Sequence, residues 1–264
     1  MRMAGELSVK QGIFWIASYP RSGNTWTRAF LGALEDVIAG RPPSSSRLAG
    51  VSERSFDPGD FSAANLRKRL EAQLAYARKR PDLSFAKTHS ARVVVDGLPT
   101  IAPDVTRGAV YLVRDPRDVA VSYATMFGLE LSGIVHGLGH SGWISVASGV
   151  GGFELIGSWS ENVRSWCEQP DTLVLRYEDL RAAPVKGFSE LARRIGLQPT
   201  LVQLTSAVAA VSFDRMQAAK QTDDMEGIRI SHGVAGRWRS VMTPAQAGQI
   251  ERDHRELMTR FGYL

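Results

Sequence analysis

The sequence predicts an α/β fold in which a mostly parallel central sheet is flanked by helices. Short apolar runs alternate with amphipathic helical patterns along the chain, as expected when parallel strands are joined by helical crossovers. The first such run passes through a glycine-containing turn directly into a helical pattern. Since 44% of the 264 residues are hydrophobic, the chain can bury a sizeable core. Residues 1–264 show neither an internal repeat nor a boundary, so we expect a single domain.

Four buried strands are predicted where short apolar runs are bounded by turn residues. They cover residues 12–18, 83–87, 109–113 and 172–176.

Helices are predicted from apolar residues that recur at helical spacing. One of them begins at Asp115 and Pro116, an N-cap residue followed by proline at the first helical position, and runs to Phe127. The others cover residues 24–39, 62–80, from about 153 through Trp166, and about 185–195, 200–210 and 244–260. Residues 128–152 are rich in glycine and are predicted to form a long mobile loop.

Composition and charge narrow the classes of function. The formal net charge of +5 favours anionic ligands, but the basic residues are scattered and form no nucleic-acid-binding motif. Apolar runs are too short to cross a bilayer, and the N-terminal residues lack the apolar region of a signal peptide. The lone Cys167 is compatible with a reducing compartment. We therefore expect a cytoplasmic protein without stable membrane association.

The first motif with chemical character is residues 18–26, Ser-Tyr-Pro-Arg-Ser-Gly-Asn-Thr-Trp, between a predicted strand and a predicted helix. Free backbone N–H groups and the helix dipole make such a junction a site for anions. Gly23 allows the backbone to approach a phosphate, Arg21 supplies charge, and Ser22 and Thr25 supply hydroxyl donors. The spacing is not that of a Walker A loop.

The second motif spans residues 111–123. A strand delivers Arg114 at its end, and the following helix carries Ser122 about two turns from its start. The guanidinium and the hydroxyl suit a common phosphate. Asp115, Arg117 and Asp118 are interpreted as ordinary capping and surface charges.

The third motif is Lys87-Thr88-His89, at the end of a predicted strand. A histidine that titrates near neutrality suits a general base. His136 and His140 are four residues apart, but intervening glycines disfavour a helix and no third ligand is near in the sequence. We therefore expect no metal site.

Together, these motifs resemble those of the sulfotransferases that use PAPS (3′-phosphoadenosine 5′-phosphosulfate). Their 5′-phosphosulfate loop reads YPKSGTTW where this chain has YPRSGNTW, so Arg21 stands at the usual lysine. Residues 111–122 are similar to the family's 3′-phosphate motif, and residues 87–89 match its Lys-Thr-His. Residues 176–180 match its Arg-Tyr-Glu-Asp-Leu, whose tyrosine lies by the adenine.

This resemblance implies a P-loop NTPase-like sulfotransferase core with PAPS as cofactor, PAP as product and no metal. A small-molecule hydroxyl is the implied acceptor, attacking sulfur in line while His89 takes its proton. The acceptor pocket is expected to draw on residues 40–60 and 128–152. The implied catalytic residues are His89, Arg21 and Lys87; the implied cofactor-binding residues are Arg21, Ser22, Gly23, Asn24, Thr25, Trp26, Arg114, Ser122, Tyr177, Phe213, Met216, Arg229, His232 and Gly233.

The chain departs from the family near its C-terminus. Residues 233–238 correspond to a family segment that reads Gly-x-x-Gly-Asp-Trp, with Arg237 in place of the aspartate. Ser231 and His232 stand where the family has an arginine and a lysine for the 3′-phosphate. Two substitutes for those cations are open, His232 itself and Arg229.

Two features are similar to bacterial sulfotransferases that act on glycopeptide antibiotics: the Gly-Arg-aromatic sequence at 236–238, and residues 157–166. They favour a natural-product tailoring enzyme. Two other classes stay open, a P-loop nucleotide kinase, which would need Mg²⁺, and a non-catalytic nucleotide-binding protein.

Overall fold

A five-stranded parallel sheet forms the centre of the protein. The structure is a computed structural model that describes residues 11–56, 60–142, 144–146, 153–221 and 233–264. The sheet strands are β1 (Gly12–Ser18), β2 (Val51–Ser52), β3 (Leu83–Thr88), β6 (Thr106–Val113) and β9 (Thr172–Arg176). They lie side by side in the order β2-β3-β1-β6-β9. Two small antiparallel pairs lie outside this sheet: β4 (Val94–Val95) with β5 (Leu98–Pro99), and β7 (Ile144–Val146) with β8 (Phe153–Leu155). All four predicted strands belong to the central sheet.

Helices cover both faces of the sheet. They are α1 (Asn24–Ile38), α2 (Ala63–Arg78), α3 (Pro116–Phe127), α4 (Leu131–Gly139), α5 (Trp159–Cys167), α6 (Tyr177–Ala182), α7 (Pro184–Arg194), α8 (Leu201–Ala210), α9 (Phe213–Gln221), α10 (Trp238–Val241), α11 (Pro244–Asp253) and α12 (Arg255–Arg260). The predicted α/β class is therefore confirmed.

Alternate side chains of β1 enter two separate cores, because successive residues of a strand point to opposite faces. Phe14 and Ile16 pack in the core that also holds Phe30 of α1 and Phe188 of α7. Trp15 packs in the other core, together with residues of α3, α4, α5, α11 and α12. A strand with both faces covered reads as a continuous apolar run, as residues 12–18 do.

The start of α3 forms as its sequence predicts. Asp115 accepts a hydrogen bond from the backbone N–H of Arg117 at 3.0 Å, and Pro116 occupies the first turn. The free N–H groups of a first helical turn are met in this way by a side-chain acceptor.

Residues 128–152 were predicted to be a loop, and this prediction is wrong for residues 131–139. They form α4, whose Val135 and Leu138 are buried against the core. Tertiary packing of an apolar face outweighs the low helix propensity of glycine. The prediction that glycines disfavour a helix between His136 and His140 is wrong for the same reason, because His136 lies within α4. The predicted helix near 153 begins only at Trp159, since Phe153–Leu155 is strand β8.

The predicted helix over 244–260 is interrupted at His254, which is 2% exposed. Its Nδ1 lies 2.8 Å from the Ser160 hydroxyl, and its ring packs against Trp159. Burial lowers the pKa of His254 from 6.5 to about 4.

We expect the protein to lose stability as pH falls from about 6.5 towards 4. The folded state keeps His254 neutral while the unfolded chain takes up a proton, so acid favours unfolding, by up to about 3 kcal/mol. Chemical denaturation at a series of pH values, in the wild type and in His254→Gln, measures this contribution. An unchanged slope of stability against pH in the variant would contradict it.

Candidate active site

Four chain segments that the sequence singled out meet at one edge of the sheet. Adjacent parallel strands end together, because Ala17 pairs with Thr88, Ser18 with Leu112, and Val113 with Arg176. The segments that follow β3, β1, β6 and β9 therefore lie side by side. These are His89, the loop 19–23, Arg114 and Tyr177. Ligands of open α/β sheets bind at this carboxyl edge.

The loop after β1 has a tightly specified backbone. Arg21 has φ of +70° and Gly23 has φ of +104°, both in the left-handed region. A Cβ atom on Gly23 would lie 2.9 Å from the Cδ2 atom of Tyr177, so only glycine fits here. Asn24 donates from its Nδ2 to the carbonyl of Ile16 at 2.8 Å and ties the start of α1 back to β1.

Arg114 joins three parts of the site. It donates from Nη1 to the carbonyl of Arg21 at 2.8 Å and from Nη2 to the carbonyl of Val234 at 3.0 Å. Its guanidinium carbon lies 4.4 Å from the centre of the Tyr177 ring, a cation–π contact. Tyr177 in turn donates to the carbonyl of Gly233 at 3.1 Å. Arg114 is thus both a cation and a structural link.

Ser122 brings Arg21 into the same site. The Nε of Arg21 donates to the Ser122 hydroxyl at 3.1 Å, which joins the first and second sequence motifs. A recess opens beside them; it is lined by Arg114, Asp118, Val121, Ser122, Gly233, Val234 and Arg237.

Two buried donors of this region have no hydrogen-bond partner among the described residues: the Ser22 hydroxyl and the Nε of Arg114. Buried polar groups are normally satisfied, so two unmatched donors in a cationic site favour an anionic ligand. Phosphate oxygens suit both donors. The residues present therefore fit a phosphate-bearing cofactor.

The aromatic side of the site is built from distant parts of the chain. Trp26 packs edge-on against Tyr177 and donates from its indole N–H to the carbonyl of Val211 at 3.0 Å. The Phe213 ring lies next to the Gly233 backbone. Met216 is buried among apolar side chains of the core, and Thr25 is half-buried in the first turn of α1.

His89 is held by the end of β1. Its Nδ1 lies 2.7 Å from the carbonyl oxygen of Ser18, which can only accept, so Nδ1 carries the proton. This tautomer makes Nε2 the basic nitrogen of the ring. Asn162 also donates to the carbonyl of His89 at 2.9 Å. These contacts fix the position and tautomer of the imidazole.

Lys87 makes an ion pair that sequence reasoning missed. Its Nζ lies 2.5 Å from Oε1 of Glu154, whose side chain is 1% exposed. Glu154 belongs to β8, which joins the His89 segment through a hydrogen bond from the backbone N–H of Ala91 to the carbonyl of Leu155. No signal in the sequence pairs residues 87 and 154.

Asp115, Arg117 and Asp118 were predicted to be capping and surface charges; the capping role is confirmed for Asp115, but the surface position is wrong for all three. Asp115, Arg117 and Asp118 are all buried. Arg117 pairs with Asp115 and Glu251 and lies over the Trp238 ring. Asp118 accepts from the backbone N–H groups of Gly236 and Trp238. The C-terminal segment folds over α3, so these charges become the anchors of that segment.

Arg229 and His232, the two predicted substitutes for the family's cations, lie outside the described residues. In the part of the chain that is described, no His, Cys, Asp or Glu residues gather in a group of three or more that suits a metal ion. The described helices include none with the length and apolarity to cross a membrane.

Residues 12–262 match the family described as the sulfotransferase domain. The chain belongs to the sulfotransferase family. Among curated relatives of this sulfotransferase, Sulfotransferase 1A1 of Bos taurus is 26% identical, with 92% of this chain and 82% of the relative aligned. Sulfotransferase 1B1 of Mus musculus is 23% identical, with 96% and 85% aligned.

Solved structures show the same fold. Mouse sulfotransferase SULT7A1 complexed with PAP superposes with a TM-score of 0.63 at 21% identity, covering 94% of this chain and 84% of that one. Retinol dehydratase in a complex with retinol and PAP also reaches 0.63, at 20% identity and with 94% and 82% covered. The sulfotransferase domain of the Synechococcus PCC 7002 olefin synthase reaches 0.51 at 16% identity, with 96% and 97% covered.

Proposed function

We propose that this sulfotransferase transfers the sulfuryl group of PAPS to a hydroxyl of a small-molecule acceptor and releases PAP. The observation that carries the proposal is the meeting of Arg21, Ser122 and Arg114 at one sheet edge, with His89 at the next strand end. PAPS supplies an activated sulfuryl group and binds through two phosphate-bearing ends. Two compared structures contain PAP, in keeping with this cofactor.

In the proposed mechanism, the Ser18 carbonyl keeps the proton of His89 on Nδ1, so that Nε2 accepts the proton of the acceptor hydroxyl. Arg21 and the loop 19–23 balance charge on the leaving phosphate. Arg carries a wider, planar head than the lysine usual at this place, and Ser122 orients it through Nε.

Lys87 is proposed to balance charge on the transferred group. Its ion pair with Glu154 fixes the ammonium close to the His89 segment. Most of the rate enhancement would come from positioning and electrostatics, as in phosphoryl transfer.

For the acceptor, we propose a natural product. The Gly-Arg-aromatic sequence at 236–238 and residues 157–166 support this substrate class. The compared structure with retinol shows a small lipid alcohol bound by another protein of this fold. A cytoplasmic location stays a prediction that rests on the sequence.

Titration calorimetry with PAP, and separately with ATP plus Mg²⁺, tests the cofactor. We expect PAP to bind without metal and more tightly than ATP; a preference for ATP with Mg²⁺ would instead identify a kinase. A PAPS assay against phenols, sugars, glycopeptides and lipid alcohols, read by mass spectrometry, tests the acceptor class. Failure to sulfate any member while PAP binds tightly would favour a non-catalytic binder.

A further inference from the structure

The recess beside Arg114 has an unusual charge composition. Its charged lining residues are Arg114, Asp118 and Arg237. Arg114 and Asp118 carry opposite charges, so without Arg237 these two would leave the recess with no net charge. Arg237 makes it positive. The family segment similar to residues 233–238 usually has an aspartate at this place, so the arginine is a departure from the common family pattern.

We propose that Arg237 is a cofactor-binding residue that contacts the 3′-phosphate of PAPS. This inference rests on the proposed function. It gives Arg237 the role of the cations that the family has at the positions of Ser231 and His232. A phosphate with two negative charges needs more than one cation to offset its desolvation.

Arg114 by itself cannot satisfy a phosphate. Each of its Nη atoms donates one N–H to a backbone carbonyl, those of Arg21 and Val234. Its buried Nε has no partner among the described residues, and each Nη keeps one further N–H, so three of its five N–H groups remain for a ligand. A single cation still leaves one charge of a doubly charged phosphate without an opposite charge.

Arg237 is placed to complete the site. It is half-buried, and no carboxylate of the described residues lies within ion-pair distance of it. Asp118 lines the same recess, but its two carboxylate oxygens are occupied by the N–H groups of Gly236 and Trp238. These bonds flank Arg237 on both sides and fix its backbone beside the recess. Asp118 therefore positions the arginine.

The test compares PAP with AMP, because the two ligands differ only in the 3′-phosphate. In Arg237→Ala and Arg237→Gln we expect PAP affinity to fall about 10–100-fold, the size of a lost charge-assisted contact, while AMP affinity changes less than about twofold. Arg237→Lys should keep part of the PAP affinity, since it retains the charge but loses the planar fork.

Arg239→Ala is the matched control. Arg239 lies on the same turn and stacks on Trp238, but it does not line the recess. It should leave both affinities within about twofold of the wild type. PAP affinity that stays within twofold in both Arg237→Ala and Arg237→Gln, or an equal loss of PAP and AMP affinity, would overturn the proposal. A wild type that does not prefer PAP to AMP would instead overturn the proposed function itself.

Discussion

Replacement of His89 by asparagine is expected to lower turnover by about 10²-fold or more, the usual scale for a lost general base. PAP affinity should stay nearly unchanged, because the groups proposed to bind its phosphates follow β1 and β6 or lie on α3 and in the C-terminal segment, and His89 is not among them. Asparagine retains a side-chain donor for the Ser18 carbonyl, so the loop after β1 should keep its geometry. Turnover with PAPS and an aliphatic alcohol or sugar, together with PAP titration, measures both expectations.

Asp104→Asn provides the control for His89→Asn, since Asp104 is exposed just before β6, at the opposite edge of the sheet, and the change should leave turnover unaltered. A phenol of low pKa is unsuitable as acceptor because it can react without a base. If His89→Asn retained most of its turnover with a poorly acidic acceptor, His89 would be removed from the mechanism.

Replacement of Arg114 by alanine is expected to weaken PAP binding by about 10–100-fold. The Nε donor is lost, and the carbonyls of Arg21 and Val234 lose their shared link. Adenosine 5′-phosphosulfate lacks the 3′-phosphate, so its affinity should fall much less. Calorimetric titration of both ligands gives the two ratios.

Arg114→Lys separates charge from geometry in this experiment. Lysine keeps the charge but cannot bridge two carbonyls and a phosphate at once, so it should recover only part of the loss. If Arg114→Ala lowered the affinities for PAP and adenosine 5′-phosphosulfate equally, Arg114 would hold the loops in place without contacting the 3′-phosphate.

The fold was largely predictable because its signals are local. The run 12–18 shows a strand covered on both faces, and Asp115-Pro116 shows a helix start. The same kind of local pattern predicted a loop over residues 128–152, and this prediction is wrong for residues 131–139. Glycine frequency indicates backbone freedom, but it does not show that α4 packs its apolar face on the core.

Burial of charged residues was not predictable from local patterns. Asp118 looks like a first-turn acid of an exposed helix, and its role depends on Gly236, which lies 118 positions further along the chain. The Lys87–Glu154 pair joins residues 67 positions apart. Hydrophobic periodicity and helix-capping residues act over a few positions only, so they do not indicate such contacts.

What the sequence by itself determined is the set of chemical groups that follow the strands: the loop 19–23, His89 and Arg114. Short-range patterning places each group at a strand end, and parallel pairing then brings strand ends to one edge. The tertiary structure decided what those groups contact. The need for glycine at position 23 comes from the Tyr177 ring, and the second cation of the recess, Arg237, comes from a C-terminal segment that folds back over α3. Both contacts arise because packing joins surfaces that are far apart in the chain, where no local propensity acts.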